Sequence, residues 1–278
     1  MKVGDTMDIH AYPNPSIPAL EANRAAVLGE FGGLGLPVDN HTLLAKNNWG
    51  YRTYKNPTEL TAAYIELMKE LPPLIAQGLC AAVYTQTTDV EIEVNGWLTY
   101  DRKVWKIDPA AVKAAMAMVN GPTPTIRQVL ANANQVSASD RVTWKYTFTE
   151  PAKGWESPGF NYAGWKEGKA GFGTNGTPGA VVETIWSTNN IWLAREFTLS
   201  TVPANVQLSL YHDEDAEVYL NGILAAKVSG YRSGYGIIPI SDQAQAALKV
   251  GVNSIAIHCR QTTGGQGVDA GLVTLEPK

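Results

Sequence analysis

What the 278 residues lack closes off several functional classes. Cysteine is scarce: Cys80 and Cys259 stand far apart in apolar contexts, which reads as two buried thiols and not as a disulfide or a metal pair. Basic charge is short, with 22 Lys and Arg against 26 Asp and Glu and a net charge of -4. That leaves no positive surface for a phosphate backbone and no block of like charge, so nucleic acid is not expected as a partner. No run approaches the roughly 20 apolar residues that cross a bilayer, so no membrane partner is expected either. The opening MKVGDTMDIH lacks the apolar core of a secretory signal, and the chain as given carries no address.

Motifs for bound groups are also missing. The glycines of GEFGGLG (29–35) lack the Lys-Ser/Thr ending of a P-loop and the strict spacing of a dinucleotide fingerprint, so no cofactor is expected. Asp213, Glu214 and Asp215 offer oxygen ligands, yet they run straight into a strand and hairpin turn; a turn explains them better than a metal does.

What remains is an ordinary globular composition, 45% hydrophobic and 17% charged, in a chain longer than one average domain. The first third alternates strand and helix. AAVLGEF (25–31) and LCAAVYTQ (79–86) are short apolar runs of the kind found in parallel sheets covered on both faces. Between them Asn56-Pro57-Thr58-Glu59 opens a helix as a capping box, Leu60, Ala63, Tyr64, Leu67 and Leu71 recur at helical spacing, and Pro72-Pro73 ends or kinks it. A second helix starts at Asp108-Pro109 and stops at Asn120-Gly121. From 119 to 140 small and polar residues read as a linker.

After it the period changes to two. Segments 142–148, 191–199, 206–212, 216–222 and 253–259 alternate as half-buried strands, and Asn221-Gly222 is a type I′ hairpin signal. The expected fold is therefore α/β over residues 1–118, a linker over 119–140, and an antiparallel β-sandwich of the jelly-roll kind over 141–278. Trp155, Trp165, Trp186 and Trp192 are candidate stacking faces there, and alternation sets Trp192 opposite its neighbours Ile191 and Leu193.

Chemistry concentrates at the strand ends of the first part. Glu30 stands where an apolar run meets glycines that permit sharp turns and close approach. Position alone leaves two readings open, a charged loop residue or a carboxylate on the rim of a parallel α/β barrel. His10 and Tyr12 end the preceding run, and Tyr84, Gln86, Asp89, Glu91 and Glu93 follow the later one.

In order and spacing, HAYPNP, RAAVLGEFGGLGLPV, NNWGYR and GLCAAVYTQTTDVEIEVNGWLTYDR resemble the last part of the catalytic barrel of glycoside hydrolase family two. The resemblance implies a partial (β/α)8 barrel and a retaining β-glycosidase mechanism acting on a β-linked glycan, with Glu30 as nucleophile. Tyr12 and His10 would fall at the end of strand six, with Tyr12 hydrogen-bonding the nucleophile; Gln86 and Asp89 would hold substrate hydroxyls at the end of strand eight. Trp49 could face a sugar ring, although packing beneath its loop is the first expectation. WKEGKAGFG, TIWSTNNIWLAREFTL, YHDEDAEVYLNG and LKVGVNSIAIHC similarly resemble the galactose-binding-like sandwiches that accompany such barrels.

One departure matters. The family's general acid is a Glu that follows an Asn, and this chain has no Asn-Glu dipeptide. It also supplies about three of the eight strands a barrel needs. The expectation is a C-terminal fragment that carries the nucleophile but neither the acid/base nor the first half of the barrel, and that is inactive alone. The alternative from another class is a noncatalytic carbohydrate-binding or structural module.

Overall fold

The computed structural model describes residues 3–232 and 234–276; the outermost residues of both expected domains, 1–2 and 277–278, lie outside the described residues. The chain is mostly β-structure with few helices, and it divides into two compact units, one ending at Thr125 and the other running from Ile126 to Glu276.

In the first unit, β1 (Thr6–Ala11), β2 (Ala25–Gly32) and β5 (Leu79–Thr85) form a parallel sheet in the order β1-β2-β5, and the two-residue strands β3 (Leu34–Gly35) and β4 (Arg52–Thr53) pair beside it. Helix α1 (Pro57–Lys69) is capped as its sequence implies, the Asn56 side chain accepting from the Glu59 N–H at 2.9 Å. Glu59 reaches back one residue further than a standard capping box, accepting from the Lys55 N–H at 3.1 Å. Helix α3 (Pro109–Ala117) is capped by Asp108, whose carboxylate accepts from the Ala110 N–H at 2.9 Å.

The Pro72-Pro73 pair does not simply end the first helix. It lies in the opening turn of α2 (Leu71–Gln77), where the missing N–H groups have no partner to lose. Leu28, Phe31, Leu60, Tyr64, Leu67, Leu74, Val112 and Ala115 close one apolar cluster between the helices and one face of the sheet. Ile9 and Ala11 pack against that cluster, so alternation turns Asp8 and His10 to the opposite face.

Two expectations are corrected here. β5 is not covered on both faces: Cys80, Ala81, Ala82 and Val83 are exposed, because β5 is the last strand of a three-stranded sheet and, among the described residues, no further strand pairs with its outer edge. For the same reason Cys80 is an exposed thiol, and only Cys259 is buried.

The second unit is a β-sandwich. One sheet runs β10 (Thr184–Ile185), β9 (Phe172–Gly173), β17 (Gly267–Glu276), β12 (Val206–Asp213), β15 (Gly236–Pro239), with β6 (Thr125–Leu130) also on β17. The other runs β14 (Ile223–Val228), β13 (Asp215–Leu220), β16 (Gly251–Arg260), β11 (Asn190–Leu199), β7 (Thr143–Thr147), β8 (Lys166–Lys169). Trp144, Trp186, Leu193, Leu208, Ile257 and Leu272 fill the space between them, and α4 (Asp242–Ala247) closes one end through Ala244.

Asn221 and Gly222 both take positive φ, 49° and 83°, as a type I′ turn between β13 and β14 requires. The stretch read as a linker is structured: β6 and a capping box at Asn132 lie within 119–140. What lets it lie close to β17 is Gly271 of that strand, where a Cβ would come 2.4 Å from the Leu130 carbonyl oxygen.

Candidate active site

A strict two-residue period would bury Glu30. Ala26 and Leu28 of β2 both face inward, so the next even position should follow them. The strand pairing shows why it does not. Against β1, Leu28 pairs with Ile9 and Glu30 with His10, so Gly29 has no partner. Against β5, Leu28 pairs with Ala82 and Phe31 with Tyr84, so β2 again carries one residue more than its neighbour. This bulge reverses the phase of the strand: Phe31 enters the cluster and Glu30 turns to the face that carries Asp8 and His10. A Cβ at residue 29 would meet the half-exposed Asp8 carboxylate, which would have to move aside for it.

The Glu30 side chain is 44% exposed. The Tyr12 hydroxyl donates to its Oε2 at 2.5 Å, and the Thr85 hydroxyl lies 2.9 Å from the same phenol oxygen. His10 Nδ1 stands 3.3 Å from Glu30 Oε2, while its Nε2 stands 3.6 Å from Asp8. Three adjacent parallel strands therefore deliver Tyr12 and His10, Glu30, and Thr85 to one place. Burial first, and then the bond to Glu30, hold the Tyr12 phenol well above the ordinary tyrosine range, so at neutral pH it remains a donor. Among the described residues, both contacts of the carboxylate fall on Oε2 and none on Oε1.

The glycines after Glu30 form a junction. Gly32 and Gly33 take φ of 102° and 64°, where a side chain is strained. Gly32 N–H donates to Pro13 O at 3.0 Å, Gly33 N–H donates to Thr85 O at 2.9 Å, and Gly33 O accepts from Tyr51 N–H at 3.0 Å. Three segments thus dock on two residues. The rings follow: Tyr51 stacks on Tyr12 at 3.8 Å between centroids with the planes 1° apart, and Trp49 meets Tyr51 edge-on at 5.4 Å. Trp49 is exposed, not packed beneath its loop.

The residues following β5 divide. The Gln86 amide donates to Asn95 Oδ1 at 2.7 Å, and Asn95 donates to Glu93 at 2.7 Å. Asp89, expected among the substrate-binding residues, is turned inward. Its side chain is 1% exposed and its Oδ1 takes bonds from Lys106 Nζ at 2.5 Å and from Gly96 N–H at 2.8 Å. A carboxylate fully inside and paired with a fully buried ammonium does not reach a ligand on the rim. Tyr84 is likewise directed down, packing on Phe31, Tyr64 and Trp97.

The sequence reading missed Thr85 and Tyr51. For Thr85 a signal existed: Tyr84 faces the cluster, so alternation sends Thr85 to the face of Glu30. Tyr51 lies in NNWGYR, where nothing in the local pattern distinguishes it from other loop aromatics.

In the second unit the tryptophans separate by environment. Trp186 is wholly buried, and Trp192 stacks on His258 at 4.7 Å while nearly buried, so neither offers a free face. Trp155 and Trp165 stack on one another at 6.2 Å. Close by, a pocket of about 420 Å³ is lined by Lys145, Glu167, Glu196, Ser254, Phe160 and Tyr162, among others. Asp215 accepts from the Gly230 N–H at 3.0 Å and Glu214 accepts from the Thr262 hydroxyl, contacts made with the segments that follow β14 and β16.

No protein-family model matches the chain, and no curated protein matches it. Among solved structures it is similar to a β-glucuronidase from glycoside hydrolase family 2, at 17% identity over 48% of this chain and 17% of that one, with a TM-score of 0.34. A β-glycosidase from Bacteroides vulgatus matches at 19% identity over 48% of this chain and 19% of that one, TM-score 0.32. A β-glucuronidase from Ruminococcus gnavus in complex with D-glucuronic acid matches at 13% identity over 55% and 29%, TM-score 0.35. The chain thus spans less than a third of the length of each of these neighbours, which are glycosidases of known structure.

Proposed function

We propose that the first unit is the closing part of a (β/α)8 glycosidase barrel and that Glu30 is the nucleophile of a retaining β-glycosidase. The observation that carries this reading is the convergence of Tyr12, Glu30 and Thr85 from three parallel strand ends, with one carboxylate oxygen held and the other without a contact among the described residues. Oε1 of Glu30 attacks the anomeric carbon of a β-linked sugar, forming an ester as the glycosidic oxygen leaves. The Tyr12 hydroxyl holds Oε2 throughout. His10, half exposed beside Glu30, and Gln86 are the residues proposed to meet substrate hydroxyls.

Retaining hydrolysis needs a second carboxyl about 5–5.5 Å from the first to protonate the leaving group and then activate water. With no Asn-Glu dipeptide present, that group is assigned to a part of the parent protein outside these 278 residues, and the chain alone is expected to be inactive. The test is trapping of the intermediate in the parent protein with a 2-deoxy-2-fluoro glycoside whose dinitrophenolate leaves without protonation. The expected result is a glycosyl ester on Glu30 found by peptide mapping. An ester on another carboxylate, or turnover unchanged in Glu30→Gln, rejects the assignment.

A second reading is supported by the pocket of the second unit. Aromatic rings at Phe160 and Tyr162 beside the charged groups of Lys145, Glu167 and Glu196 fit the apolar face and the hydroxyl edge of a sugar, which makes the sandwich a carbohydrate-binding module.

A further inference from the structure

We infer that Tyr51 is the positioning residue of the site: its ring, seated in the notch left by Gly33, holds Tyr12 in the one orientation that reaches Glu30. The inference rests on the reading of Glu30 as the reactive carboxylate, and it deepens that reading.

Tyr12 follows β1, beyond the last sheet pairing of that strand at Ala11, so its ring is not fixed by a ladder of hydrogen bonds. A phenol with two free torsions must nonetheless bring its oxygen within 2.5 Å of Glu30 Oε2 and 2.9 Å of the Thr85 hydroxyl. The near-parallel stack of Tyr51 on Tyr12, at 3.8 Å, covers one face of the ring and limits rotation about both torsions. Tyr51 is itself held from behind by backbone. Its N–H donates to Gly33 O at 3.0 Å, and β4, beginning at the next residue, pairs Arg52 with Leu34 and Thr53 with Gly35.

Gly33 is the clearest sign that the stack is built in. A Cβ there would come 2.3 Å from the Tyr51 ring and 3.2 Å from the Tyr12 ring, so both rings occupy space that any other residue would fill. The same residue supplies the carbonyl that fixes Tyr51 and the N–H that bonds Thr85. One glycine therefore ties the stack to the end of β5 and to the strand that carries Glu30. Half of Tyr51 remains exposed, and neither its hydroxyl nor its ring touches Glu30 in any contact described, so it acts through Tyr12 and not on the reacting atoms.

The chain itself permits the test, without turnover. Difluorotyrosine placed at position 12, whose fluorines bring the phenol into a mild titration range, reports by ¹⁹F NMR the pH at which Tyr12 ionises; the same label at Tyr64, in the apolar cluster of the same unit, reports general loosening. Tyr51→Ala is expected to lower the Tyr12 midpoint by about one pH unit or more, toward that of Glu30→Gln, and to leave Tyr64 unmoved. Tyr51→Phe, which keeps the stack, is expected to restore the wild-type midpoint. Should Tyr51→Ala fail to fold, Tyr51→Leu provides similar bulk without a ring and is expected to shift Tyr12 in the same direction. A Tyr12 midpoint unchanged in Tyr51→Ala or Tyr51→Leu overturns the inference, as does an equal shift at Tyr12 and Tyr64. Failure here leaves the trapping result on Glu30 standing, and failure of the trapping leaves this titration standing.

Discussion

Replacing Lys106 with Met should be among the most damaging single changes in the first unit, although Lys106 makes no contact with Glu30. Its side chain is 0% exposed, and its ammonium bonds Asp89 at 2.5 Å and Val94 O at 2.8 Å. Removing the ammonium leaves the Asp89 carboxylate inside with one backbone N–H, from Gly96, as its remaining donor among the described residues, where Asp89 Oδ2 has no hydrogen-bond partner. Breaking a buried pair from one side costs about 3–5 kcal/mol, whereas replacing both charges by apolar groups of similar volume is often near neutral. Lys106→Met is therefore expected to cost about 3–5 kcal/mol at pH 7, and Asp89→Leu/Lys106→Met much less than that. Burial raises the Asp89 carboxyl above its ordinary range and lowers the Lys106 ammonium below its own. With its partner gone, Asp89 binds a proton more tightly folded than unfolded, so the deficit of Lys106→Met should shrink as the pH falls and grow as it rises through the raised range. Because the protein has two units, the assay is urea unfolding followed by peptide-resolved hydrogen exchange, which reads the first unit separately from the second. A deficit under about 1 kcal/mol at pH 7, or one that is the same at pH 5 and pH 7, refutes the reasoning.

Two further outcomes concern the second unit. Burial raises the Asp269 carboxyl from 3.8 to about 6, so the folded unit holds that proton more tightly than the unfolded chain. Its contribution to stability should be greatest below the unfolded value and fall by about 3 kcal/mol in all from below pH 3 to above pH 7, about 2 kcal/mol of that between pH 4 and pH 6; Asp269→Asn should flatten that fall, and an unchanged pH profile from urea melts of the variant contradicts it. If the pocket beside Phe160 and Tyr162 binds sugar, calorimetric titration of the chain with D-glucuronic acid and with β-linked oligosaccharides should give heat that Tyr162→Ala removes; signals no larger than buffer for every sugar reject that reading.

The parts of this architecture that are legible in the sequence are those governed by local rules. Asn56-Pro57 and Asp108-Pro109 announce helices because capping is settled within four residues. Asn221-Gly222 announces its turn because two successive positive φ values exclude nearly everything else. β17 was not legible: its sequence GVDAGLVTLE has no alternation, being buried on almost every residue, and two glycines and an Asp disguise it as loop. Asp89 misled for the opposite reason. Its identity and position suit a ligand-binding rim, and what turns it inward is Lys106, seventeen residues later in VWKID, where no periodic pattern marks a buried cation. Glu30 was legible as a carboxylate at a strand end, but not how it comes to face outward, because a bulge leaves no mark beyond a glycine that many other structures would also explain.

If Glu30 is the nucleophile, that bulge places it by means that do not involve the acid/base partner. Every group fixed on Glu30 or on Tyr12 comes from β1, β2, β5 or the Trp49–Thr53 loop, and the junction at Gly32 and Gly33 joins all four through backbone bonds. The register offset at Gly29 chooses the face, Tyr12 and His10 hold one oxygen, and none of these steps delivers a proton to a leaving group. Geometry and competence are therefore separable under the proposed mechanism. Supplying the acid from another part of the parent protein would add proton transfer, which contributes typically 10²- to 10⁴-fold, without having to rebuild the nucleophile. A leaving group that needs no proton bypasses that step altogether, which is why trapping with an activated fluoroglycoside interrogates Glu30 itself and not the proposed acid.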